Sequence, residues 1–94
     1  MALTFLSRFK VKPEMDATFV ELIAKAEAVA AQEPDTLAYK FYRLSEPHSF
    51  AVFESFTKPE ADEAHQKNPA AAPIIADMIA CIEGTYVREY LLDV

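Results

Sequence analysis

The stretch EADEAHQKNP, residues 60–69, places an imidazole on what reads as the buried side of a short helix. Ala61, Ala64 and His65 fall on one face at helical spacing, while Glu60, Asp62, Glu63 and Lys67 point elsewhere. Small alanines beside the ring leave room for a ligand, and histidine has the intrinsic pKa of a general acid or base near neutrality. The plainer alternative is a core histidine satisfied by one hydrogen bond. Arg88 is the second candidate. It shares a strand face with Tyr86 and Tyr90, where a guanidinium can hold an anionic oxygen or stack on a flat ligand. An ion pair with Glu54 or with a second subunit explains Arg88 equally well.

The remaining polar groups read as structural. Glu54 interrupts the apolar set Phe50, Val52 and Phe56 and requires a partner, so a salt bridge or an interface contact is expected. Tyr39 and Tyr42 lie on opposite faces of one strand, so one is expected to line the pocket between helices and sheet and the other to meet a partner subunit. Cys81 sits amid Met78, Ile79 and Ile82 and reads as an inert buried thiol. His48, in a turn beside Pro47, is expected to be solvated.

Much chemistry is excluded. One glycine in 94 residues leaves no phosphate-cradling loop and no dinucleotide fingerprint. No serine lies in a nucleophile elbow. The two histidines lie in different elements, and no Cys or His stands at metal-ligand spacing, so neither a metal nor a cofactor is expected. The net charge of −6, without a Lys/Arg cluster, repels nucleic acid and anionic membranes. One cysteine allows no internal disulfide, and MALTFLSRFK, without a basic stretch ahead of its apolar residues, is not expected to act as a signal peptide. A cytoplasmic protein is expected.

The elements that position these groups follow from periodicity. Residues 1–94 read as a single domain. Residues 3–11 alternate as a strand, and Pro13 opens a helix running from Glu14 to about Gln32. That helix carries Phe19, Leu22, Ile23, Ala26, Val29 and Ala30 on one stripe. Residues 36–44 and 49–56 form a hairpin, the first with Leu37, Tyr39 and Phe41 on one face. Thr57 and Glu60 have capping-box spacing ahead of a helix that reaches about Lys67. A further helix begins near Pro73, and Gly84 stands where its C-terminus needs a left-handed residue. Residues 85–92 form the last strand. This is a β-α-β-β-α-β order with the second helical region broken in two. It predicts a ferredoxin-like α+β fold, a four-stranded antiparallel sheet with helices on one face. With 52% hydrophobic residues and strands apolar on both faces, the open side is expected to be covered by a second copy, as a homodimer with sheets face to face.

Residues 39–65, YKFYRLSEPHSFAVFESFTKPEADEAH, resemble the central block of the antibiotic biosynthesis monooxygenase domain family. The matching pieces are Tyr39 and Tyr42, Glu54 with Phe56, and Ala61, Ala64 and His65. The resemblance extends over nearly the whole chain and implies a dimeric α+β barrel. Its members include cofactor-free oxygenases of aromatic polyketides, quinol monooxygenases, haem-degrading enzymes and a signal-molecule isomerase. The aromatic after Glu54 is often Trp in the family, and this chain has none. The last helix offers no histidine to ligate iron, which disfavours the haem-degrading branch.

The resemblance and His65 together imply oxidation of a small hydroquinone- or anthrone-like aromatic by molecular oxygen. His65 would be the base, and Arg88 or a tyrosine hydroxyl would stabilise the oxyanion. Tyr39, Phe5, Phe53, Phe56 and Tyr86 would bind the ring. The alternatives are a non-catalytic dimer binding a small apolar ligand, and an isomerase using the same pocket.

Overall fold

The computed structural model describes residues 1–94. The central strand is β1 (Leu3–Val11). A 3₁₀ turn at Pro13–Met15 leads into α1 (Asp16–Ala30), and the hairpin β2 (Thr36–Arg43) and β3 (Ser49–Phe56) follows. Then come α2 (Pro59–Lys67), α3 (Ala72–Cys81), β4 (Ile82–Glu83) and β5 (Arg88–Tyr90). The sheet runs β2-β3-β1-β4, and β5 also pairs with β1; every pairing is antiparallel. The ferredoxin-like order is therefore present, with the fourth strand position filled by two short pieces.

Strand alternation builds the core. Phe5, Phe9 and Val11 of β1, Phe41 of β2, and Phe50, Val52 and Phe56 of β3 turn to the helix side, where all are buried. Phe19 of α1 meets Phe9, Phe41 and Phe50 with centroids 5.5, 6.0 and 5.0 Å apart. Leu22, Ala26 and Ala30 continue the buried stripe of α1. A smaller cluster of Phe5, Phe56 and Ala61 lies under α2. Asn68 ends α2 with extended backbone, as the residue before Pro69 must.

Several expectations are corrected in detail. The last strand was expected over 85–92. Ser7 pairs with Arg88 and Lys10 with Glu83, so residues 8–9 of β1 face residues 84–87 and the ladder is interrupted. The last helix stops at Cys81, and Ile82 is already extended. Gly84 (φ 77°) takes its left-handed conformation in that interruption rather than at the helix end. Thr57 does not cap α2. Lys58 holds the cap position and Thr57 Oγ1 donates to Asp35 Oδ1 at 3.1 Å. Leu37 sits in a register shift between Thr36 and Ala38 and is 61% exposed, off the face it was expected to share with Tyr39 and Phe41. His48 is not simply solvated: its Nδ1 lies 2.8 Å from Asp16 Oδ2, and the same carboxylate holds Arg43 at 2.9 and 3.1 Å. This cluster ties the hairpin turn to the start of α1.

The face without helices is less apolar than expected. Leu6, Tyr42 and Phe53 share it with Arg8, Lys10 and Lys40. Edge strand β2 is guarded, because the Phe41 amide donates to Glu27 Oε2 at 2.9 Å. The aromatic core fixes the sheet under the helices, so Phe19→Ala should cost about 3–5 kcal/mol. Urea unfolding tests this: the midpoint should fall with the slope unchanged.

Candidate functional site

One cavity collects most of the sequence candidates. It measures about 140 Å³ and lies between the sheet and the helix layer. Tyr39, Glu54, His65, Tyr86 and Arg88 line it, together with Phe9, Phe41, Val52 and Ile75. The interrupted ladder matters here, since residues 84–87 leave β1 and bring Tyr86 over Phe9, 5.6 Å between centroids.

His65 is 3% exposed. Helical spacing from Ala61 turns both residues to the sheet, where the imidazole packs on Tyr39 and Phe56, with ring centroids 4.7 and 5.8 Å away. Ala64, expected on the same face, is exposed instead. His65 Nδ1 lies 2.7 Å from Glu33 Oε1. Glu33 also accepts from Thr36 Oγ1 at 2.9 Å and from Asn68 Nδ2 at 2.9 Å. Burial pushes the Glu33 carboxyl up, but the hydrogen bonds from Asn68, His65 and Thr36 outweigh it and hold the group below its ordinary value. An ionised Glu33 accepts, so Nδ1 carries the proton and donates. Nε2 is the one buried side-chain polar atom without a partner, and in the neutral ring it is the nitrogen that carries the free lone pair.

The acidic and basic groups around the ring sort differently from expectation. Arg88 donates to Asp62 through Nη1 at 2.6 Å and Nη2 at 3.2 Å, and its guanidinium carbon lies 4.0 Å from the Phe5 ring centroid. Asp62, expected to point away, is 7% exposed because it answers Arg88. Glu54 was expected in a salt bridge or an interface contact, and within the chain it makes no salt bridge. It lines the cavity with no hydrogen-bond or ion-pair partner, and burial pushes its carboxyl up to about 7 despite the opposing pull of Arg88. Burial, with the charges of Glu54 and Glu33, raises the Tyr39 phenol, so it stays a neutral donor.

A model of the antibiotic biosynthesis monooxygenase family matches residues 3–76. The chain belongs to this family. Among solved structures, SnoaB, a cofactor-independent oxygenase from Streptomyces nogalater, superposes with TM-score 0.78 at 21% identity, covering 98% of this chain and 92% of that one. Rv0793 from Mycobacterium tuberculosis gives 0.88 at 15% identity, covering 100% and 96%. A Caulobacter crescentus protein, provisionally assigned as an antibiotic biosynthesis monooxygenase, gives 0.87 at 27% identity, covering 99% and 90%. A search of curated proteins by sequence finds no match.

Within this family fold, the structure brings Tyr39, Tyr86, His65 and Arg88 to one cavity and sets Phe56 behind the imidazole. Phe5 lies beneath Arg88, beside Phe56, rather than in the cavity wall. Phe53 is not part of the site. Strand parity turns it to the opposite sheet face, out of phase with Glu54 and Phe56. Sequence reasoning missed Glu33 and Glu54 as site residues. Glu54's position in an apolar stripe was the available signal for one; Glu33, in a turn, gave none.

Glu33 has a folded-state value below its unfolded one. Its stabilising contribution is therefore complete above the ordinary glutamate value of 4.5 and is lost as pH falls through the folded value. Thermal melts across this range should show the native chain losing Tm more steeply on acidification than Glu33→Gln, which starts lower at neutral pH. Parallel curves would mean that the carboxylate adds nothing to the fold.

Proposed function

We propose that the chain is a cofactor-independent monooxygenase that oxidises a hydroquinone- or anthrone-like aromatic with molecular oxygen. The carrying observation is His65 Nε2, a buried nitrogen without a hydrogen-bond partner on a ring that lines an aromatic cavity. Membership of a monooxygenase family supports the reaction class, and the description of SnoaB as a cofactor-independent oxygenase fits it. A cavity of about 150 Å³ holds one benzene ring, so the space here suits a single-ring hydroquinone better than a tricyclic anthrone.

The substrate supplies the electrons. Nε2 takes a hydroxyl proton, and the neutral Tyr39 phenol donates to the phenolate. The Arg88 guanidinium is held by Asp62 and adds positive potential at the cavity wall. The electron-rich phenolate passes one electron to dioxygen, and the radical pair closes a bond from oxygen to a ring carbon. The imidazolium returns its proton to the peroxide. Loss of the remaining proton on that carbon, with cleavage of the O–O bond, leaves a carbonyl and releases hydroxide, which becomes water. One hydroquinone and one dioxygen thus give one hydroxyquinone and one water.

Oxygen uptake with a panel of hydroquinones and anthrones tests this reading. Uptake above the spontaneous rate should fall about 100-fold or more in His65→Ala, with substrate binding retained. Unchanged turnover in His65→Ala would remove His65 as the base. Turnover that persists without oxygen would assign the pocket to isomerisation, and binding without product to a non-catalytic role.

The chain is further proposed to act as a homodimer through the helix-free face, on the support of Leu6, Tyr42 and Phe53 clustered there. Sedimentation should give twice the chain mass, and Phe53→Lys should give the monomer. A monomeric native protein would end this reading.

A further inference from the structure

Glu54 is placed where no structural role accounts for it. It projects from the sheet floor between Phe5 of β1 and Tyr39 of β2, its direct neighbours in register. Arg88, the cation whose charge acts on Glu54, is engaged by Asp62 instead. Glu54 is half-buried at the cavity wall, and a carboxylate partly withdrawn from water without a protein donor costs stability that a neutral residue there would not. Glu54 also lines the same cavity as His65, but from the other layer: His65 descends from α2 and Glu54 rises from β3.

That arrangement answers a requirement of the proposed chemistry. When dioxygen adds to a ring carbon, the carbon becomes tetrahedral, with the peroxide on one ring face and the remaining hydrogen on the other. A group that delivers a proton to the peroxide cannot also reach that hydrogen without crossing the ring. We infer that Glu54 is a second catalytic residue, the base that removes the ring proton while the O–O bond breaks. The C–H pair becomes the carbonyl π bond, the O–O pair leaves on hydroxide, and the Glu54 carboxylic acid then protonates hydroxide to water. The inference rests on the assignment of His65 as first base.

The environment supports the role. Besides Glu54, the charged or titratable groups around the cavity are Tyr39 from β2, His65 and Asp62 from α2, Glu33 beyond α1, Tyr86, and Arg88 from β5. Burial, together with Asp62 and Glu33, keeps the Glu54 carboxyl up at about 7, where it can both take and return a proton.

The experiment compares Glu54→Gln, Glu54→Asp and His65→Ala in oxygen uptake and in thermal melts. Glu54→Gln should lower kcat about 100-fold with little change in KM. Its Tm should rise relative to the native chain at about pH 8 and much less at about pH 5, because the cost of a carboxyl raised by burial starts above the ordinary value of 4.5 and is complete above the folded value of about 7. Glu54→Asp should recover part of kcat and show a larger isotope effect with ring-deuterated hydroquinone. Full activity in Glu54→Gln beside an inactive His65→Ala would overturn the inference and leave the first base standing. An active His65→Ala would overturn both. If Glu54→Gln loses activity and Tm together, or fails to fold, the carboxyl is structural and the inference falls. Glu54→Val, which continues the apolar stripe, provides the same comparison independently.

Discussion

A single carboxylate determines how the site is held. Glu33, in the turn after α1, accepts from Thr36 at the start of β2, from His65 on α2 and from Asn68 at the α2–α3 break. Three donors converge on two oxygens, so the residue stays ionised although half enclosed by protein. The beginning of β2 and the end of α2 are thereby fixed against each other. The Thr57–Asp35 pair adds a second tie between the same turn and the start of α2. The orientation and tautomer of His65 are consequences of this tie. Without it, the ring would rest only on Tyr39 and Phe56, and either nitrogen could carry the proton.

Three acidic residues near the cavity have three different fates, and environment alone separates them. Glu33 is surrounded by donors and stays charged. Asp62 is paired with Arg88 by a two-point hydrogen bond. Glu54 has apolar neighbours and no donor, so its neutral form is favoured up to about pH 7. Arg88 could have neutralised Glu54. The Phe5 ring beneath the guanidinium and Asp62 beside it fix Arg88 elsewhere. The pairing of Arg88 with Asp62 is thus what leaves a second titratable group available inside the cavity.

The fold is shared across low identity because it asks for little beyond alternation and aromatic filling. TM-scores of 0.78 to 0.88 accompany identities of 15 to 27%. The substrate is set by the site and not by the fold. Here the family match spans residues 3–76, whereas Tyr86 and Arg88, which form one wall of the cavity, lie beyond it. That wall also depends on the interruption between β4 and β5, where Gly84 allows the chain to leave the ladder.

The sequence by itself determined the element order, the helical stripe of α1 and the inward turn of His65. Each depends on local periodicity, which a chain carries along its own length. The opposite-face placement of Tyr39 and Tyr42 was legible for the same reason. Alternation also put Phe53 on the face away from Phe56, and its assignment to the pocket ran against that pattern. Only the tertiary structure decided the pairings. His65 with Glu33 and Arg88 with Asp62 are separated by 32 and 26 residues, and no spacing rule relates them. The isolation of Glu54 is also a tertiary fact, since a carboxylate in an apolar stripe looks the same in sequence whether or not a cation reaches it. Leu37 and Gly84 belong to the same class, because a register shift is set by what the neighbouring strand pairs with. Periodicity places a side chain on a face; whether its charge is matched there depends on groups that folding alone brings within hydrogen-bond range.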